Sequence, residues 1–189
     1  MNSFKLFYVY LGHVLLWTYV LRALTASLMP AWDAHPSTQK LLWTGLLMLP
    51  SLLISFYTLG MLSQLSAAFT FLLFIGLTHF IHGFPPTTVS PWLLALAALT
   101  AIVLYASALG FLRIDIYAWG YQARWLALAA AALAIIVWGS APLVSFALAF
   151  ALLAFALNVG ASRNLWDYLI DVPMFFFFLY FLERHFWRS

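Results

Sequence analysis

Apolar residues fall into seven long blocks, separated by short polar, glycine- or proline-containing breaks. The blocks are Leu6–Leu28, Leu41–Leu62, Ala67–Phe84, Trp92–Leu112, Trp125–Trp138, Leu143–Val159 and Leu165–Leu182. A helix needs about 20 apolar residues to cross about 30 Å of hydrocarbon. The pattern therefore predicts an all-α, polytopic transmembrane helix bundle of about seven spans. Pro50 predicts a kink inside the second block. Pro85, Pro86 and Pro91 predict a tight loop between the third and fourth. The fifth block is short, about 14 residues against the 20 that a crossing needs. Gly139, Ser140 and Pro142 break it from the sixth. The fifth and sixth spans therefore have a second solution, a re-entrant hairpin, which leaves the seventh starting on the same side. Trp43, Trp92, Trp125, Trp138, Trp166 and Trp187 fall near block ends, where an amphipathic indole prefers the interface. Trp17 lies mid-block.

Composition strengthens this picture. Of 189 residues, 66% are hydrophobic and 7% are charged. Soluble domains carry about 25% charged residues. So few charges cannot cover an apolar chain in water, and lipid is the expected outer solvent. Residues 1–189 fit one integral membrane domain. The formal net charge of +3 is spread over loop ends with no basic run, so nucleic acid is not an expected partner. The absence of cysteine excludes disulfides, thiolate metal sites and iron–sulfur clusters. The first apolar block exceeds the roughly 7–15 residues of a signal-peptide core, and Arg22 interrupts it. A retained first helix is expected. With the N-terminus inside, Lys5, Arg113, Arg124 and Arg163 are cytoplasmic, and Lys40, Arg184 and Arg188 lie outside. The expected setting is a multi-pass protein of a bacterial inner membrane.

Ionisable groups inside spans cost about 2.5–3.5 kcal/mol each at a helix centre, so they point to function. They are His13, Arg22, His79, His82, Asp167, Asp171 and, at the end of the last block, Glu183. Depth follows from a rise of about 1.5 Å per residue. From the N-terminal side, His13 lies about 10 Å in and Asp171 about 9 Å in, with Asp167 about 3 Å in. Arg22, His79, His82 and Glu183 lie about 24, 18, 22 and 27 Å in. Two polar layers are predicted, a near one with His13, Asp171 and Asp167 and a far one with Arg22, His79, His82 and Glu183. Asp33 and His35 would open onto the far side. Asp167 and Asp171 are four apart and share a face of the seventh helix, as do His79 and His82, three apart, on the third.

Arg22 and Glu183 form an interhelical ion pair, or Arg22 faces a cavity as a site for an anionic group, or Arg22 snorkels to the far interface. His79 and His82 are candidate ligand-binding residues with them. A haem needs axial ligands across its plane, and His13 lies about 8 Å from the level of His79. No metal site and no cofactor is expected. Asp167, Asp171 and His13 are the candidate catalytic residues, because burial can separate two carboxyl pKa values into an acid and a base. The bland alternative is a helix N-terminus with acids on its dipole. Asn164 and Asp167 resemble the Asn-x-x-Asp element of lipoprotein signal peptidases over those few residues. That family's second aspartate motif is not found and the number of spans differs, so no role is carried over. The aromatic-rich stretch from Arg113 to Arg124 is expected at the interface. The Phe175–Phe178 run is expected to be packing or lipid-facing surface. Three function classes follow. First is a lipid-binding or accessory component of a membrane complex, with membrane lipids and another membrane protein as partners. Second is an intramembrane enzyme acting on a lipid-linked substrate. Third is a small-solute or proton transporter.

Overall fold

The computed structural model describes residues 3–28, 35–62, 64–82 and 89–188. Asp33, Pro85, Pro86 and the end of the third block at Phe84 lie outside the described residues. The chain is all-helical, with 80% helix and no strand among the described residues. Its helices are α1 (Ser3–Leu28), α2 (Ser37–Leu62), α3 (Ala67–His82), α4 (Pro91–Ala108), α5 (Arg124–Ile136), α6 (Pro142–Ala156), α7 (Trp166–Leu169) and α8 (Val172–Arg188). A short 3-10 turn, Tyr117–Gly120, interrupts the α4–α5 connection.

The expected seven spans need correcting. Among the described residues three helices, α1, α2 and α4, are long and apolar enough to cross a membrane. The α3, α5 and α6 helices have 16, 13 and 15 residues. At about 1.5 Å per residue they reach about 24, 20 and 22 Å, short of the hydrocarbon thickness. The seventh block is not one helix. Ile170 is extended, with φ −141° and ψ 136°, so α7 ends there and α8 starts afresh. Proline explains the restart. Pro173 has no N–H to donate back into a preceding turn, yet it fits the first turn of a new helix.

The chain divides into two compact units. The first comprises residues 1–65 and 70–86, and the second residues 66–69 and 87–189. In the first, α1 and α2 form an antiparallel pair with a polar seam. Thr18 Oγ1 donates to Ser51 Oγ at 3.0 Å, with both residues fully buried. Trp17 Nε1 donates to Thr58 Oγ1 at 3.0 Å, and the Tyr10 hydroxyl donates to the Leu52 carbonyl. Ser51 and Ser55 donate back to the carbonyls of Leu47 and Ser51, beside the Pro50 that breaks the backbone ladder. Such bonds matter where no water can replace them.

Helix α3 runs parallel to α1 and in step with it. A Cβ on Gly12 would meet Thr70 Oγ1 at 3.1 Å, and one on Gly76 would meet the Tyr19 ring at 3.0 Å. Arg22 meets Phe80. The three pairs advance along both helices at a near-constant offset. Small residues at two of them allow the backbones to approach.

In the second unit, α4 packs on α8 and α5 on α6. The buried stripe of α4 is small, with Ala98 and Ala101 beside Leu104. Met174 and Phe178 are buried on α8, while Phe176 is exposed, so the phenylalanine run serves both packing and surface. The α5–α6 hairpin is closed by Ser145 Oγ donating to the Ala134 carbonyl at 2.6 Å and by the Trp138–Phe146 ring contact at 5.1 Å. Large apolar side chains face outward on the long helices, including Leu28, Leu53 and Trp92. That surface is stable against lipid and unstable against water.

Candidate functional site

His13, Arg22, His79 and His82 belong to the first unit, and Asp167, Asp171 and Glu183 to the second. Each predicted layer thus combines residues of both units.

In the first unit the far layer takes definite form. The Arg22 guanidinium lies over the Phe80 ring, with Cζ 3.3 Å from the centroid. Lys40 Nζ stands 5.5 Å from the same centroid. Both distances are within the roughly 6 Å at which a cation is drawn to a ring face. Phe80 is buried, and Arg22 and Lys40 are part-exposed. Three elements make this cluster: the end of α1, the start of α2 and the end of α3. The parallel register of α1 and α3 puts Arg22 level with Phe80, between His79 and His82 along the axis. The buried Nδ1 of His79 has no hydrogen-bond partner among the described residues. His13 is level with residue 71 by the same register, about 12 Å along the axis from His79. It is fully buried, and its Nδ1 lies 3.3 Å from Thr58 Oγ1 in the α1–α2 seam. No group of three or more His, Cys, Asp or Glu residues is arranged to hold a metal ion among the described residues.

Two members of this cluster escape a reading of the sequence. There Lys40 is a loop charge that reports orientation, and Phe80 is one more apolar residue. The signal for Lys40 is its place in the first turn of a helix whose predecessor ends near Arg22. The signal for Phe80 is its position between two histidines.

In the second unit the two aspartates part company. They do not share a helix face, because Asp167 lies on α7 and Asp171 precedes α8. Asp171 is a double cap. Its Oδ1 accepts the Met174 N–H at 2.6 Å, in the first turn of α8. Its Oδ2 accepts the Ser66 N–H at 2.5 Å. Ser66 itself caps α3, its Oγ accepting the Phe69 N–H at 3.2 Å. One carboxyl thus ties the first turns of two helices. Burial raises the Asp171 carboxyl to about 6, against the opposing pull of the Ser66 and Met174 N–H groups. The sequence signal is Asp171-Val172-Pro173, a capping acid followed by proline in the first turn.

Asp167 receives the Tyr117 hydroxyl on both oxygens, at 2.9 and 3.1 Å. Burial, then the hydrogen bond to Asp167, raises the Tyr117 phenol above its ordinary value. Asn164, fully buried, donates from Nδ2 to the Tyr117 carbonyl and accepts the Trp166 N–H on Oδ1, both at 3.0 Å. Trp166 Nε1 donates to the Ile116 carbonyl at 3.0 Å. This corrects the expectation of an interfacial Trp166, because the indole is buried inside the protein. Gly120 completes the arrangement, its carbonyl accepting the Leu165 N–H at 3.0 Å. A Cβ there would fall onto the Asn164 carboxamide and 2.8 Å from Trp166 Cδ1. The Tyr168 hydroxyl accepts from Gly160 N–H and donates to the Ser162 carbonyl. Together these contacts clasp the α4–α5 connection to the α6–α8 connection. Outside the clasp, Ile114, Trp119, Tyr121 and Trp125 are exposed, as an interfacial segment requires. Glu183 is exposed on α8.

Comparison of the chain with protein-family models, with curated proteins and with solved structures finds no match.

Proposed function

We propose that this chain is a multi-pass protein of a bacterial inner membrane that binds lipid and serves as an accessory component of a membrane complex. The observation that carries this reading is the fate of the buried carboxylates. Asp171 is engaged by two helix starts and Asp167 by Tyr117, on separate elements. An acid–base pair for intramembrane hydrolysis needs its two groups to converge on one substrate position. Capping and clasping account for both residues without a substrate. The polar group set that is left, around Arg22, suits binding.

The α3, α5, α6 and α8 helices complete the proposed bundle of about seven membrane segments. Helices too short to cross untilted are accommodated by local thinning of the bilayer or by a re-entrant path. The break at residues 137–141 favours a re-entrant α5–α6 hairpin. A cysteine placed at Ser140 in this cysteine-free chain tests it. Labelling from the face that labels Gln122→Cys supports the re-entrant path, and labelling from the opposite face sinks it.

Native mass spectrometry of the full chain, extracted in a mild detergent, tests the function. The expected spectrum carries defined lipid or protein adducts. A chain that flies bare, from membranes in which it is folded, overturns the reading. An intramembrane enzyme would instead lose turnover on Asp171→Asn with stability unchanged.

A further inference from the structure

The outer face of the clasp carries side chains that its buried network does not use. Arg113 stands in the connection after α4, Arg124 at the first position of α5 and Arg163 just before Asn164. All three are exposed, and so are Trp119, Tyr121 and Trp125. Two observations put these residues at one end of the second unit. Asn164, Leu165 and Trp166 donate to the carbonyls of Tyr117, Gly120 and Ile116, so the connection bearing Arg163 lies on the one bearing Arg113. The α5–α6 hairpin turns at residues 137–141, which leaves the start of α5 and the end of α6 together at its open end.

The face is also held in shape. Ser107 Oγ accepts the Ile116 N–H at 2.7 Å and donates to the Ile114 carbonyl at 2.9 Å, fixing the chain after Arg113 to the end of α4. The Tyr121 ring meets Tyr117 edge to face at 6.0 Å, and Tyr117 is bonded to Asp167. Arg124 Cζ lies 5.6 Å from the Trp125 ring centroid, within reach of a cation–π contact.

Its chemistry matches a membrane surface. Guanidinium groups pair with phosphate oxygens, and indole and phenol rings prefer the boundary between headgroups and acyl chains. Beyond the arginines, α5 and α6 turn apolar side chains outward, Leu128 and Leu153 among them. The band therefore lies at the edge of an apolar outer surface, the level at which headgroups sit. Of the two acids in these connections, Asp167 receives the Tyr117 hydroxyl, while the exposed Asp115 caps the 3-10 turn by accepting the Ala118 N–H. A cation near an anionic leaflet gains about 1 kcal/mol. Resting on the lipid-binding reading above, we infer that Arg113, Arg124 and Arg163, with Trp119, Tyr121 and Trp125, form a docking band for the headgroup layer of an anionic leaflet.

The test uses the full chain in nanodiscs of phosphatidylcholine mixed with phosphatidylglycerol. Native mass spectrometry reads the ratio of the two lipids that the released protein retains. Wild type is compared with Arg113→Gln, Arg124→Gln and Arg163→Gln, singly and together, and with Trp119→Ala. Circular dichroism checks helix content, and the single variants keep the assay informative should the triple variant fold poorly. Wild type should enrich phosphatidylglycerol over the nanodisc composition. Each single glutamine variant should lower that enrichment about fivefold, the equivalent of about 1 kcal/mol per cation. The triple variant should fall to the lipid ratio of the nanodisc. Trp119→Ala should lower retention of both lipids and leave their ratio unchanged. Equal enrichment in wild type and the triple variant overturns the docking band while leaving lipid binding in place. A protein adduct lost from that variant with its enrichment intact assigns the face to a partner chain and also overturns the band. Retention of both lipids by wild type at the nanodisc ratio overturns the anionic preference. A wild type that retains no lipid overturns both this inference and the reading it rests on.

Discussion

Asp171→Ala should be among the most damaging single substitutions in the second unit. The side chain is buried and accepts two backbone N–H groups, from Ser66 and Met174. Truncation strands both donors, and a buried unsatisfied donor costs about 1–3 kcal/mol. Partial relaxation of the helix starts offsets some of this. Two stranded donors sum to about 2–6 kcal/mol, and the expected loss after relaxation is about 2–4 kcal/mol. Asp171→Ser should recover about 1 kcal/mol, because serine is a good N-cap for α8 but is too short to reach both partners. The assay is equilibrium unfolding of the purified chain in mixed micelles of mild detergent and dodecyl sulfate, followed by circular dichroism. A midpoint for Asp171→Ala equal to wild type would refute the double cap, and so would a serine variant no better than alanine. The pH dependence gives a second handle. Burial raises the carboxyl from 3.8 to about 6, so the fold binds this proton more tightly than the unfolded chain does. The stabilisation from that proton is therefore complete below about pH 4 and is lost as pH rises through about 6. The wild-type advantage over Asp171→Asn should shrink across that window. An advantage that grows with pH would mean that the two N–H bonds outweigh burial and hold the carboxylate charged.

Three further outcomes follow from the clasp and the seam. Gly120→Ala should destabilise by about 1–3 kcal/mol, because its Cβ has no room beside Asn164 and Trp166; unfolding midpoints check this, and a neutral result would mean that the two connections are not clasped there. Tyr117→Phe should cost about 1–2 kcal/mol by removing a hydrogen bond to a carboxylate. In an ultraviolet titration the wild type should show late-ionising tyrosines, Tyr117 among them, and Asp167→Asn should move part of that late signal towards the ordinary range by removing the hydrogen bond and charge that add to burial; a titration unchanged by Asp167→Asn would count against the pair. Thr18→Val should weaken the α1–α2 seam by only about 0.6 kcal/mol, since the chain in lipid finds other partners for Ser51; a loss several times larger, read by the same unfolding assay, would mark the seam as a cooperative network.

Helix existence was legible in the sequence because apolar blocks report it directly. The parallel course of the first and third helices was legible too, because α1 and α3 run in step and set Arg22 beside Phe80. What failed was the assumption of continuity. A helix-long apolar block from Leu165 to Leu182 concealed a break, and hydropathy is blind to the difference between one helix and two that share a cap. The common helix face of Asp167 and Asp171 failed with it. The Tyr117–Asn164–Trp166 contacts could not have been read, because they join residues far apart in sequence through tertiary packing. Gly120 gave no local sign that it needed to be glycine; the constraint comes from Asn164 across the clasp.

The two polar regions also differ in a way that bears on function. The clasp in the second unit closes on itself: each donor named there has an acceptor within the protein, and its acids cap or pin helix ends. Such a network rigidifies connections and leaves little chemistry over. The cluster in the first unit is built the other way. It sets Arg22 and Lys40 at 3.3 and 5.5 Å from the centroid of one neutral ring, at helix ends flanked by exposed leucines. A ring that attracts both side chains joins three helix ends through its face. Phe80→Leu should therefore cost about 0.5–2 kcal/mol in the same unfolding assay, and an unchanged midpoint would mean that apolar packing alone holds these helix ends together.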